Sequence, residues 1–148
     1  MERIQKYINR IYRASVLDRE LHFEQKGLKG CQLSYILQIV RQPGLSQDDL
    51  SGNLFVHKSS VTRHVQKLLE DGFVYRETDP LDSRKKLIFP TEKAEQIYPE
   101  IIEYLNEWNA ELLAELTDVE LEHVLAILRK LTASSTKRVR NEIKEFTE

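Results

Sequence analysis

LSQDDLSGNLFVHKSSVTRHVQKLLEDGFVYRETDPLDSRKKLIFPT, residues 45–91, is the stretch on which the fold turns. Ser46 is suited to cap a helix, with Asp49 three residues on, and Leu50 and Leu54 provide one apolar face. Phe55-Val56-His57 is too apolar and too short for a linker, so it reads as a packed turn. From Lys58 the helical period resumes, with Val61, Val65, Leu68 and Leu69 on one face. The opposite face carries Ser59, Arg63, Gln66 and Glu70, flanked by Ser60 and Lys67, and Gly72 supplies the stop. This second helix therefore buries a Val/Leu stripe and offers small hydroxyls and a long cation near its N-terminus. Small polar side chains permit close approach to base edges, and Arg can bind guanine bidentately.

A hairpin follows directly. Phe73-Val74-Tyr75-Arg76 and Leu87-Ile88-Phe89 are β-branched and aromatic runs, and the loop between them ends in the consecutive cations Arg84, Lys85 and Lys86. Such a tip can reach phosphates or place Arg in a minor groove. Helix, turn, helix and wing, with Asp82-Ser83-Arg84 as a D-x-R run closed by Thr91, resemble the winged-helix domain of the MarR family of bacterial transcriptional regulators. The resemblance is close over residues 45–91 and extends to the whole chain in length and helix order.

The totals agree with a single domain, or a domain with an appended helical module: 148 residues, 31% charged, net charge −2. The distribution of charge says more than its sum. Residues 58–86 hold seven Lys/Arg against five Asp/Glu, residues 92–122 one Lys against ten acids, and residues 129–144 six cations against one acid. An acidic block cannot face DNA, so the chain has a DNA side and another side. One cysteine excludes an intrachain disulfide, and no apolar run approaches the roughly 20 residues of a membrane span. Residues 1–6 lack the apolar core of a signal peptide, and a cytoplasmic protein is expected.

Residues 3–21 have helical period, with Ile4, Ile8, Ile11, Tyr12 and Ser15 along one stripe. Residues 23–30, with two glycines, read as a connector. Residues 32–41 carry Leu33, Ile36, Leu37 and Val40, an apolar helix ended by Gln42-Pro43-Gly44. Thr91 reads as the cap of a helix on which Ala94, Tyr98, Ile101, Leu105, Trp108 and Leu112 form a heptad seam, with Pro99 expected to kink it or shift its start. Thr117 to Glu120 form a capping box, with Leu116 and Leu121 at its staple positions. A last helix carries Leu121, Val124, Leu128 and Leu131, then Val139, Ile143 and Phe146. These helices have more apolar stripe than a lone winged helix covers, which points to a homodimer; an independent helical hairpin folded on its own chain is the plainer alternative. The resemblance implies the dimer, built from the first and last two helices.

The expected architecture is mainly α: a winged helix-turn-helix with a two-stranded β-wing, plus N- and C-terminal helices forming a dimerisation platform. Its parts are residues 1–29 (helix and connector), 30–91 (DNA-binding domain) and 92–148 (dimerisation helices). The expected DNA-binding residues are Lys58, Ser59, Ser60, Thr62, Arg63, Lys67, Arg84 and Lys85. Ser59 and Ser60 are also ordinary helix N-terminal chemistry, Thr62 also suits a hydroxyl-to-backbone bond, and Lys67 suits phosphate. His57 stands at the N-cap. The resemblance gives Arg84 a minor-groove or backbone contact and makes Asp82 the residue that orients it. Strand alternation lets only one of Lys85 and Lys86 face DNA.

The resemblance also implies a small phenolic or anionic effector, for which Tyr12, Arg13, His22 and Tyr35 are the candidates. Aromatic residues at helical spacing are core residues more often than pocket residues. Cys31, near the start of the second helix, could have a lowered thiol pKa or be inert. No H-x3-H or C-x-x-C spacing exists, so no metal or other cofactor is expected, and the absence of a nucleophile elbow, P-loop or dinucleotide turn argues against an enzyme. The expected function is a sequence-specific DNA-binding regulator, a ligand-responsive repressor acting as a homodimer on a pseudo-palindromic operator of double-stranded DNA. The rival is a protein-interaction module docking a basic partner through the long acidic helix from Glu92 to Leu116.

Overall fold

The computed structural model describes residues 1–145, the last five of them by backbone alone. Phe146 lies outside the described residues, as does the side chain of Ile143. Six α-helices and a small sheet run in the order α1 (Ile4–Phe23), α2 (Leu33–Arg41), β1 (Leu45–Ser46), α3 (Gln47–Leu54), α4 (Lys58–Glu70), β2 (Val74–Thr78), β3 (Lys86–Pro90), α5 (Glu92–Leu113) and α6 (Asp118–Glu145). The chain divides into two compact units, residues 1–103 and 104–148, parting within α5. The expected winged helix-turn-helix, with helices before and after it, is present.

In the first unit the core forms where the apolar periods of the short helices meet. Ile36 and Ile39 of α2, Leu50 of α3, and Val61, Val65 and Leu68 of α4 are all fully buried. Each such side chain contributes about 1.5–3 kcal/mol relative to exposure. α4 packs on α3 and β2, and α2 on α3 and β3. The sheet is antiparallel in the order β1-β3-β2. Tyr75 opposes Phe89 across β2 and β3, and their rings stack with centroids 5.5 Å apart. The wing therefore rests on a third strand that the sequence reading lacks: Leu45 and Ser46 pair with Ile88 and Leu87.

The segment expected to be a connector is packed. Two 3-10 turns, Glu24–Lys26 and Gly30–Gln32, bracket it, and Phe23, Leu28 and Gly30 are buried. A Cβ at Gly30 would stand 2.3 Å from the Val16 carbonyl oxygen, so only glycine lets this turn approach α1. The turn at Phe55-Val56 differs in the other sense: it is exposed rather than packed, Phe55 at 47% and Val56 at 36%. Hydrogen bonds hold it instead. Phe55 caps α3 in the left-handed conformation at φ 55°, its N–H donating to Ser51, whose hydroxyl donates to the Val56 carbonyl at 2.7 Å.

Thr91 precedes α5 as expected, yet its hydroxyl donates to the Gly72 carbonyl at 2.6 Å, tying the end of α4 to the start of α5. Pro99 sits inside α5 without interrupting it. The seam expected along α5 is shifted at its start: Ala94, Ile97 and Ile101 are the buried line, Tyr98 is half-buried, and its hydroxyl accepts from Arg41 Nε at 3.0 Å. In the second unit, Tyr104 is buried, Leu105 and Trp108 half-buried and Leu112 exposed. The capping box at Thr117 forms as expected, with the Glu120 carboxylate accepting from the Thr117 N–H at 2.9 Å. Leu121 and Val124 of α6 are half-buried, while Leu128, Leu131 and Val139 are exposed.

Candidate nucleic-acid interface

The site grows from the start of α3. Ser46 caps it through a reciprocal box: its hydroxyl accepts from the Asp49 N–H at 3.1 Å, and the Asp49 carboxylate accepts from the Ser46 N–H at 2.9 Å. Those donors hold the Asp49 carboxyl below the usual carboxylate range, the Ser46 backbone N–H foremost. With α3 anchored, its first turn reaches α4. Gln47 accepts from the Thr62 hydroxyl at 3.0 Å, and Asp48 pairs with Lys58 at 3.0 Å. Sequence reasoning did not foresee these contacts of Gln47 and Asp48 with α4. Their place after the cap was legible, but their partners across the turn were not.

His57 does cap α4. Its Nδ1 accepts the Ser59 N–H at 3.1 Å and lies 2.7 Å from the Ser59 hydroxyl. The single Thr62 hydroxyl proton is shared between the Lys58 carbonyl at 3.1 Å, the anticipated hydroxyl-to-backbone contact, and Gln47 Oε1 at 3.0 Å. Ser60 is half-buried. Lys67 pairs with Asp71 at 3.1 Å. Arg63 is exposed, and no hydrogen-bond or ion-pair partner holds its guanidinium among the described residues. Beside it, a concavity of about 350 Å³ is lined by Lys29, Gln32, Arg63, His64, Gln66, Lys67 and Glu70. Lys29 and Gln32 were not among the expected residues, because the 3-10 turn that brings them to α4 is invisible in the sequence pattern.

The wing carries the remaining cations. Asp82 Oδ1 accepts both the backbone N–H of Arg84 at 3.0 Å and its Nε–H at 3.2 Å. Arg84, chiefly through that side-chain bond, holds the Asp82 carboxyl below its ordinary range. Lys86 donates across the strands to Thr78 at 2.7 Å, while Lys85 is exposed with its charge felt at Asp49 and Asp82. A second concavity of about 230 Å³ joins Ser46, Gln47 and Asp48 to Arg84, Lys85 and Lys86. The start of α3 and the wing thus form one surface.

The four effector candidates lie at different places along α1 and α2. Tyr35 is 3% exposed and packs against the His64 ring, with centroids 5.2 Å apart. Tyr12 is near enough to act on Tyr35 electrostatically, whereas His22 lies towards the end of α1, 3.9 Å from Glu100, and Arg13 is exposed. Cys31 Sγ lies 3.8 Å from His64 Nε2. Burial pushes the Cys31 thiol up and the His64 imidazole down, against the lowering of Cys31 that a helix start could provide. Among the described residues no group of three or more His, Cys, Asp or Glu could hold a metal ion, and no helix is long and apolar enough to cross a membrane.

This geometry has close counterparts. A family model described as the MarR family matches residues 26–85. The HTH-type transcriptional regulator BilQ of Clostridium symbiosum is 27% identical over 132 residues, covering 88% of this chain and 92% of its own. A MarR protein from Peptoclostridium difficile superposes with a TM-score of 0.90 at 26% identity, over 93% of this chain and 90% of its own. A MarR-family regulator from Listeria monocytogenes, solved with a 26mer DNA, gives a TM-score of 0.84 at 28% identity, over 90% and 89% of the two chains.

Proposed function

We propose that this chain, similar to the MarR family over residues 26–85 and to MarR-family regulators over most of its length, is a DNA-binding transcriptional regulator of that family, a ligand-responsive repressor acting as a cytoplasmic homodimer on a pseudo-palindromic operator. Two observations support the reading: α4 presents an exposed Arg63 with no hydrogen-bond or ion-pair partner among the described residues, and the wing presents Arg84 and Lys85 against the start of α3. Lys58, Ser59, Ser60, Thr62 and Lys67 complete the DNA-facing set, with Asp82 holding Arg84. Arg63 reads base edges in the major groove, and the wing cations neutralise phosphates or enter the minor groove. Thr62 and Lys58, held by Gln47 and Asp48, set the angle of α4.

Exposed apolar side chains support the dimer. Ile4, Ile8 and Ile11 of α1 are exposed in the single chain, and so are Leu128 and Leu131 of α6. Burying them against a second copy gives a two-fold assembly with two recognition helices, able to reach successive major grooves roughly 34 Å apart. A small phenolic or anionic effector, held near Tyr12 and Tyr35, acts by changing that separation. Arg63→Ala and Arg84→Ala test the reading against docking of a basic partner through acidic α5. Weaker operator binding in both variants, with unchanged thermal stability, is the expected result; binding unaffected by either substitution would overturn it.

A further inference from the structure

The wing tip carries a side chain that the charge-based reading leaves unused. Leu81 is 95% exposed, the most exposed large apolar residue in the described chain apart from Met1. A lone surface leucine is ordinary. This one differs in how it is held. Pro80 fixes the backbone before it, and Asp79 Oδ1 accepts its N–H at 2.8 Å. Asp82, the next residue, is bound to Arg84. The loop is closed beneath it by the Asp79 N–H donating to the Lys85 carbonyl at 3.0 Å and the Lys85 N–H to the Asp82 carbonyl at 2.9 Å. The carboxylates of Asp79 and Asp82 are thus both engaged with the loop itself, and the tip presents to solvent the isobutyl group of Leu81, three residues before Arg84 in the same short loop.

We propose that Leu81 is an apolar minor-groove contact, seated between the deoxyribose walls next to Arg84, and that it makes the wing select A·T over G·C pairs. The inference rests on the DNA-binding reading above. The minor groove is roughly 6 Å wide, enough for one branched side chain, and its walls are sugar C–H groups. The cations beside Leu81 meet the phosphates on either rim, so charge and shape complement the same groove. At a G·C pair the guanine N2 amino group projects from the floor, where the isobutyl group would lie. Apolar contact is insensitive to salt, unlike the contacts of Arg84 and Lys85.

The experiment measures anisotropy of an operator duplex, with the wing-contacted base pairs located by hydroxyl-radical footprinting. The chains are wild type, Leu81→Ala and Arg84→Ala, and the duplex carries A·T, G·C or inosine·C at those pairs. Leu81→Ala is expected to weaken binding about tenfold, the scale of one lost apolar contact, with the salt slope unchanged. Arg84→Ala is expected to reduce the slope by about one. Wild type should discriminate against G·C and regain affinity with inosine, which lacks the amino group, while Leu81→Ala should lose that discrimination. Leu81→Ala binding like wild type, with the same G·C penalty, would overturn this inference and leave the regulator reading standing. Failure of wild type to prefer the operator over random duplex would remove both.

Discussion

Replacing Ser46 by Ala tests how α3 holds the DNA-reading surface together. The hydroxyl accepts from the Asp49 N–H at 3.1 Å and donates to the Asp49 carboxylate at 2.9 Å, while Ser46 is only 8% exposed. Loss of an N-cap of this kind costs about 1 kcal/mol, and the hydrogen bond removed from Asp49 adds about 0.5 kcal/mol, discounted because that carboxylate is exposed. A total near 1.5 kcal/mol lowers Tm by roughly 3–6 °C for a chain of this size. The pH dependence gives a second reading. The Asp49 carboxyl is held below its ordinary range in the folded state. Its contribution is therefore complete above the unfolded value of about 3.9 and is lost as pH falls through the lower folded one. Urea unfolding at pH 7 should place Ser46→Ala and Asp49→Ala below wild type, and the Asp49→Ala gap should narrow on acidification below about pH 4. Operator affinity should fall with the cap, because Gln47 and Asp48 anchor Thr62 and Lys58 from the same turn. An unchanged urea midpoint for Ser46→Ala, or an Asp49 gap indifferent to acid, would refute this account of the α3 anchor.

Three further outcomes follow from the packing. Gly30→Ala forces a Cβ to 2.3 Å from the Val16 carbonyl oxygen, so it should destabilise by about 1–3 kcal/mol in urea, whereas a neutral effect would show that the turn can move off α1. Cys31, its thiol pushed up by burial, should react with iodoacetamide at pH 8 far more slowly in the folded chain than in urea; equal rates would mean an accessible thiolate. His64 has its folded pKa lowered by burial and then by Arg63, so its contribution to stability is present above the unfolded value of about 6.5 and lost as pH falls below it. His64→Gln should accordingly flatten the fall in urea midpoint between pH 7 and pH 5, and a slope identical to wild type would exclude this role.

Much of the architecture was legible because local signals agreed. The spacing of Val61, Val65 and Leu68, the cap at His57 and the stop at Gly72, which adopts φ 76°, all specify α4. The D-x-R run marked the wing, and the Asp82 bond to Arg84 follows from residues two apart. What sequence reasoning missed is tertiary. β1 has only two residues, and it is a strand because β3 supplies its partners. Residues 23–30 have no period, yet Phe23 and Leu28 find the core through 3-10 turns that glycine permits. Phe55 and Val56 looked like core by composition, but a left-handed cap turns them outward.

The most direct test of the central claim is anisotropy of the purified chain against DNA from immediately upstream of its own gene, with a random duplex as control, at two salt concentrations. The account predicts tight binding that clearly exceeds the control and weakens steeply with salt, as several phosphate contacts require. Equal binding to both duplexes, or binding to neither, would contradict it.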